Sequence, residues 1–191
     1  QIVDLVSQAV HAGSFIAADD SRALSALTSF TLDITIWPTT PVNHEQAVMG
    51  VWNAERQAGY LLSIGPEGAA LTTGDGSGSV SRTATKGLMT PREWYHVTAS
   101  HDAATGQVSV SQVPSNVDGC GESARQASGT HETGPAHHGD IPFLVGAAWG
   151  GQGNADGTRP VMCFNGKVEV PRVAGTVADA LSALDCLLAW D

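Results

Sequence analysis

The chain reads as an all-β protein, a two-sheet antiparallel sandwich of the jelly-roll type with one C-terminal helix. Three observations predict it. From Ser29 to Trp37, apolar Phe30, Leu32, Ile34 and Ile36 alternate with Thr31, Asp33 and Thr35, the period of a strand with one buried and one wet face. Further short apolar segments follow, separated by Gly, Pro, Asn and Asp turn chemistry. No helical pattern alternates with them, which excludes a parallel α/β sheet.

The elements follow in order. Pro38 and Pro41 stop the first strand, because proline cannot donate to a ladder. Ala47–Trp52 reads as a buried strand. Tyr60–Ile64 and Ala69–Thr73 form a hairpin around Gly65-Pro66-Glu67-Gly68, and 74–79 is a loop. Trp94–Ser100 and Val108–Val110 make a second hairpin around Asp102-Ala103-Ala104-Thr105-Gly106. Ile141–Trp149 and Val161–Val173 are the last strands, with a Gly, Asn and Asp loop at 150–159 between them.

Two segments stand apart. Residues 114–140 carry Gly, Ser and His without any period, and are expected to be a long mobile loop at the rim. Residues 176–190 are expected to be helical: Thr176 caps with Asp179, and Val177, Leu181, Leu184 and Leu188 share one face.

Composition excludes several classes. Nine basic against 19 acidic residues give a net charge of −10, so nothing would neutralise a phosphate backbone and nucleic acid is not an expected partner. No apolar run approaches the ~20 residues of a membrane span, and no charged segment followed by an apolar one opens the chain as a signal peptide would. Cys120, Cys163 and Cys186, odd in number and widely spaced, read as three free thiols of a cytoplasmic protein. The length of 191 residues fits one domain, 1–191.

Candidate chemistry is sparse. No Gly-x-Ser-x-Gly elbow and no phosphate-cradling glycine loop occurs. His131, His137, His138 and Asp140 are candidate ligands for a transition metal, since imidazole and carboxylate suit zinc or nickel. A glycine-rich loop preorganises no geometry, however, so a solvated loop is the stronger reading. Asn154 and Asp156 are candidate calcium ligands on the same terms, because oxygen-rich loops are also ordinary turns. No cofactor is expected. His96, on a strand, is expected to bond a backbone group. Trp149 is read as a core anchor rather than a sugar platform.

Three segments together carry a resemblance. They are the strand ending in Trp37-Pro38-Thr39-Thr40-Pro41; Trp94-Tyr95-His96-Val97 with its hairpin; and Phe143–Ala147 followed by Phe164-Asn165-Gly166-Lys167-Val168-Glu169-Val170-Pro171-Arg172. In order they resemble the laminin G-like, concanavalin A-like jelly-roll domains. Within that superfamily they look most like the lectin-like module of the large subunit of bacterial N,N-dimethylformamidase. Trp37, Trp94, Phe164, Asn165, Gly166, Lys167, Glu169, Pro171 and Arg172 are the matching positions, and they are read as structural. Gly166 is expected to supply a backbone conformation that other residues resist, with Val168 and Val170 on one side of the strand.

The resemblance implies a module excised from a longer chain. It implies an iron-dependent amide-hydrolysing centre elsewhere in the parent, and therefore no catalytic residue here. The expected role is a non-catalytic accessory or assembly domain whose partners are the parent's other domains or subunits. Two alternatives remain open: an independent carbohydrate-binding module with its ligand at the rim, and a small glycoside-active enzyme on the same fold.

Overall fold

The computed structural model describes residues 14–18, 22–115, 123–136, 141–150, 159–178 and 188–189. Among these residues are fourteen strands and one short helix, α1 (Arg22–Ser25). The strands are β1 (Ile16–Ala17), β2 (Phe30–Pro38), β3 (Gln46–Asn53), β4 (Ala58–Gly65), β5 (Gly68–Asp75), β6 (Val80–Ala84), β7 (Tyr95–His101), β8 (Gln107–Pro114), β9 (Arg125–Thr130), β10 (Leu144–Val145), β11 (Ala148–Trp149), β12 (Pro160–Val161), β13 (Gly166–Ala174) and β14 (Leu188–Ala189).

They form two sheets. One has eight strands in the order β1-β10-β3-β4-β5-β6, with β11 beside β3 and β12 beside β11. The other has six, in the order β14-β13-β2-β7-β8-β9. Apart from the single-residue contact of β11 with β3, every pairing is antiparallel. The main core lies between the sheets, where Phe30, Leu32, Ile34 and Ile36 of β2 face Val51, Tyr60, Leu62 and Ile64 of β3 and β4, all at most 1 % exposed. The period-two reading of β2 thus identified the inward face residue by residue. Tyr60 and Tyr95 are core residues whose hydroxyls are spent on the backbone, Tyr60 donating to Leu24 O (2.9 Å) and Tyr95 accepting from Thr90 N–H (2.8 Å). Burial pushes the Tyr60 phenol far up. A smaller cluster of Ala47, Trp52, Leu61 and Ala148 sits on the opposite face of the eight-stranded sheet, under Val161 and Met162.

The hairpins appear where turn chemistry placed them: Gly65 pairs Gly68 across Pro66-Glu67, and His101 pairs Val108 across the 102–107 turn. Gly59 shows a glycine requirement of its own. Its φ is +106°, and a Cβ there would stand 1.9 Å from the Val51 carbonyl of the neighbouring strand.

Four expectations are corrected. The 114–140 stretch is not all loop: Arg125–Thr130 pairs with β8 as the last strand of its sheet. Its small residues, Ala127, Ser128 and Gly129, give no hydrophobic alternation for a sequence reading to find. The C-terminal segment is not a helix to 190: Leu188–Ala189 pairs with Arg172–Val173 as an edge strand, and Thr176–Ala178 are not helical. An apolar position at the end of a 3.6-residue pattern serves an edge strand equally well. Residues 179–187, with Leu181 and Leu184, lie outside the described residues. The outer face of β2 is not all wet, since Thr31 and Asp33 are 0 % and 3 % exposed. Thr176–Ala178 lie over Thr31, whose hydroxyl donates to Thr176 O (2.7 Å) and accepts from Ala178 N–H (2.9 Å). Finally, 161–173 is two strands rather than one, interrupted between Val161 and Gly166.

Candidate functional site

The polar centre of the molecule is on the outer face of the six-stranded sheet. Asp33 stands mid-strand on β2, between β13 and β7. Its side chain is 4 % exposed, while His96 and Arg172 beside it are 42 % and 28 % exposed. His96 Nε2 lies 2.8 Å from Asp33 Oδ2, Thr98 Oγ1 donates to the same oxygen at 3.3 Å, and Arg172 Nη1 is 4.0 Å from Oδ1. A buried carboxylate needs such partners, because its desolvation is otherwise uncompensated. The hydrogen bond and charge of Asp33 raise the His96 pKa above the usual histidine value, against partial burial and the Arg172 charge. His96 therefore bonds a side-chain carboxylate, not the backbone group expected from sequence.

A bulge in β13 shapes this site. Register shifts between Glu169 and Arg172, and Val170 within it takes φ +49°, a conformation a β-branched residue rarely adopts. The bulge sets Arg172 opposite Asp33. Val168 and Val170 consequently do not continue one alternation, as the sequence had suggested.

The positions matching the family pattern, Trp94 apart, gather along the β2–β13 seam. Lys167 Nζ sits 4.9 Å from the Trp37 ring centroid in a cation–π contact. Thr39 donates both its N–H and its hydroxyl to Asn165 O (2.8 and 2.7 Å), and Asn165 N–H donates to Gln46 Oε1 (2.8 Å). Asn165 is exposed, and its Oδ1, 2.6 Å from the Thr39 hydroxyl, shares that hydroxyl's one proton with the Asn165 carbonyl. Gly166 is required for space, not for a left-handed backbone: a Cβ would stand 2.3 Å from Trp37 O and 2.7 Å from the Phe164 ring. Phe164 packs on the main core, Pro171 is buried, Glu169 pairs Thr35, and Trp94 is half-buried just before β7. On the side of Gly166 lined by Phe164, Val168, Val145 and Ile16, an apolar cavity of about 210 Å³ opens.

A second polar cluster closes the opposite edge of the sandwich. His131 leaves β9 and turns inward to 4 % exposure. Its Nδ1 is 2.8 Å from Thr73 Oγ1 and its Nε2 3.1 Å from Thr83 Oγ1, on β5 and β6. Burial, and secondarily the nearby His101, lower its pKa to about 4. Both ring nitrogens are engaged, which leaves neither for a metal ion. His137, His138, Asp140, Asn154 and Asp156 lie outside the described residues. Among the described residues no group of three or more His, Cys, Asp or Glu side chains is placed to hold a metal, so none fits the iron of the resemblance. Cys163 is a half-buried free thiol; Cys120 and Cys186 are not among the described residues. Trp149 packs against the main core. Among the described residues no helix is long and apolar enough to cross a membrane.

The fold is a jelly-roll β-sandwich whose two polar clusters, around Asp33 and His131, are bonded into the scaffold. Solved structures share that architecture. The sialidase carbohydrate-binding module (CBM40) of Ruminococcus gnavus matches 86 % of this chain and 83 % of its own, with a TM-score of 0.59 and 18 % identity. The LG1-3 region of the laminin α2 chain matches 84 % of this chain and 29 % of its own, with a TM-score of 0.56 and 12 % identity. At these identities the likeness is one of fold.

Sequence similarity is more particular. The chain is 30 % identical over 189 residues to the N,N-dimethylformamidase beta subunit of Paracoccus aminophilus, covering 90 % of this chain and 24 % of the relative. It is 29 % identical over 179 residues to the beta subunit of the same enzyme in Alcaligenes sp., covering 85 % and 22 %. The chain thus spans about a quarter of the length of these relatives. Both relatives are named as beta subunits, where the sequence resemblance had pointed to a large subunit. No family model matches the chain.

Proposed function

We propose that this chain is a non-catalytic accessory module of a larger amide hydrolase similar to N,N-dimethylformamidase, serving in domain packing or subunit assembly. The observation that carries the reading is the coverage: nine-tenths of the chain aligns with a quarter of the beta subunit of that enzyme. On this reading the beta subunit, about four times the length of the chain, is the enzyme's large subunit, and its iron centre lies outside the matched quarter.

The chemistry of the described residues supports an accessory role. Amide hydrolysis needs an activated water or nucleophile and a group to stabilise the developing oxyanion. Here His131 is bonded through both nitrogens, and Tyr60 and Tyr95 are buried in the core. Deleting the corresponding segment from a dimethylformamidase beta subunit tests the proposal. The expected result is lost or altered assembly with iron still bound. Loss of iron with assembly intact would overturn it. A glycan array of the isolated chain tests the carbohydrate-binding alternative, and a specific sugar ligand would replace the assembly reading.

A further inference from the structure

At the closed edge of the sandwich, residues 131–136 cross from the end of β9 to the other sheet. His131 N–H donates to Gly106 O (2.8 Å), Thr133 N–H to Ser81 Oγ (3.3 Å) and Ala136 N–H to Gly74 O (2.9 Å). The imidazole of His131 is the strap's one buried polar side chain among these residues.

The hydrogen bonds fix its protonation. Thr73 Oγ1 donates its only proton to Thr133 O at 2.6 Å, so it can only accept from His131. Nδ1 therefore carries the proton, and Nε2 accepts from the Thr83 hydroxyl. The neighbouring His101 is fixed in the same way. It is 2 % exposed, its Nδ1 is 2.6 Å from the Thr28 carbonyl and must donate, and its buried Nε2 has no partner. The two rings lie 6.2 Å apart between centroids.

Among the described residues no carboxylate bonds the His131 ring. Asp75, at the end of β5, accepts from Ser77 within its own turn, and Asp102, after β7, accepts from Ala104 and Thr105. Arg82 of β6 pairs with Glu45 and Glu67. Glu132 is exposed on the strap itself. A second proton on the His131 ring creates a buried cation with no carboxylate bonded to it.

We propose that residues 131–136 are an acid-released strap: protonation of His131 expels its ring from between Thr73 and Thr83, and the strap leaves the β5–β6 edge with it. Ring and strap share one partner: Thr73 Oγ1 holds both His131 Nδ1 and the Thr133 carbonyl, so expelling the ring disturbs the strap's hold on β5. The sign follows from the lowered pKa. The strap is held in full above the unfolded value of 6.5 and loosens as pH falls toward about 4. From those two values the opening equilibrium rises roughly fiftyfold between pH 7 and pH 4.5.

Hydrogen exchange of the full chain at those two pH values, corrected for intrinsic rates, is the test. The expected result is a loss of protection at the Thr133 and Ala136 amides of this order, with β3–β4 amides unchanged. His131→Gln, which cannot take a charge, removes the pH dependence. Protection that persists at pH 4.5, or is lost equally in the variant, overturns the proposal. An NMR titration of the His131 ring in the unaltered chain gives an independent reading. Protonation coincident with strap exchange supports it, and protonation with the strap still protected contradicts it.

Discussion

Replacing Asp33 by Asn keeps the side chain's shape and removes its charge, which isolates the electrostatic part of the outer-face cluster. In the folded chain Asp33 is buried and bonds the half-exposed His96 at 2.8 Å. The His96 pKa is raised above its ordinary 6.5, first by that hydrogen bond and then by the Asp33 charge, against partial burial and Arg172. A group with a raised folded pKa stabilises fully below its unfolded value, and the contribution fades as pH rises through the folded value. The Asp33→Asn penalty is therefore larger at pH 6 than at pH 9. A fully buried charge-assisted bond contributes about 1.5–3 kcal/mol. Solvent reaches 42 % of the His96 side chain, so its pH-dependent share is discounted to about 1 kcal/mol or less. Denaturant melts of both proteins at pH 6 and pH 9, with an NMR titration of His96, measure both effects. A penalty independent of pH, or a His96 pKa unmoved by the substitution, refutes the reasoning.

Two further substitutions probe the scaffold. Phe30 is fully buried with its ring 4.4 Å from Tyr60 and 5.5 Å from His101, so Phe30→Ala should cost about 3–5 kcal/mol in a denaturant melt, and a loss under 1 kcal/mol would deny the stack its place in the core. Gly166→Ala should cost about 1–3 kcal/mol by forcing Trp37 O and the Phe164 ring apart, with a shift in tryptophan fluorescence; a neutral result would contradict the close approach.

The inward face of β2 was legible because Phe30, Leu32, Ile34 and Ile36 repeat at the strand period and each lands in the core. The two polar clusters were not, each for its own reason. Period-two reading assigns the alternate face to water, yet the outer face of a central strand is dry wherever another segment crosses it, as near Thr176–Ala178. The one available signal was Asp33 itself, an acid midway along a strand of Ile and Leu, a position where Asp is disfavoured without partners. His131 followed a segment without hydrophobic alternation, so nothing local distinguished it from the histidines at 137 and 138. Its burial depends on Thr73 and Thr83, some fifty residues away in sequence. Val170 was hidden likewise, because a bulge adds a residue without changing composition.

The accessory assignment meets its most direct test in an assay of formate release from N,N-dimethylformamide by the purified chain supplied with iron. The account predicts no turnover above the iron-plus-buffer blank, with or without His96→Ala. Turnover above that blank, abolished by His96→Ala in a chain that still folds, would contradict it.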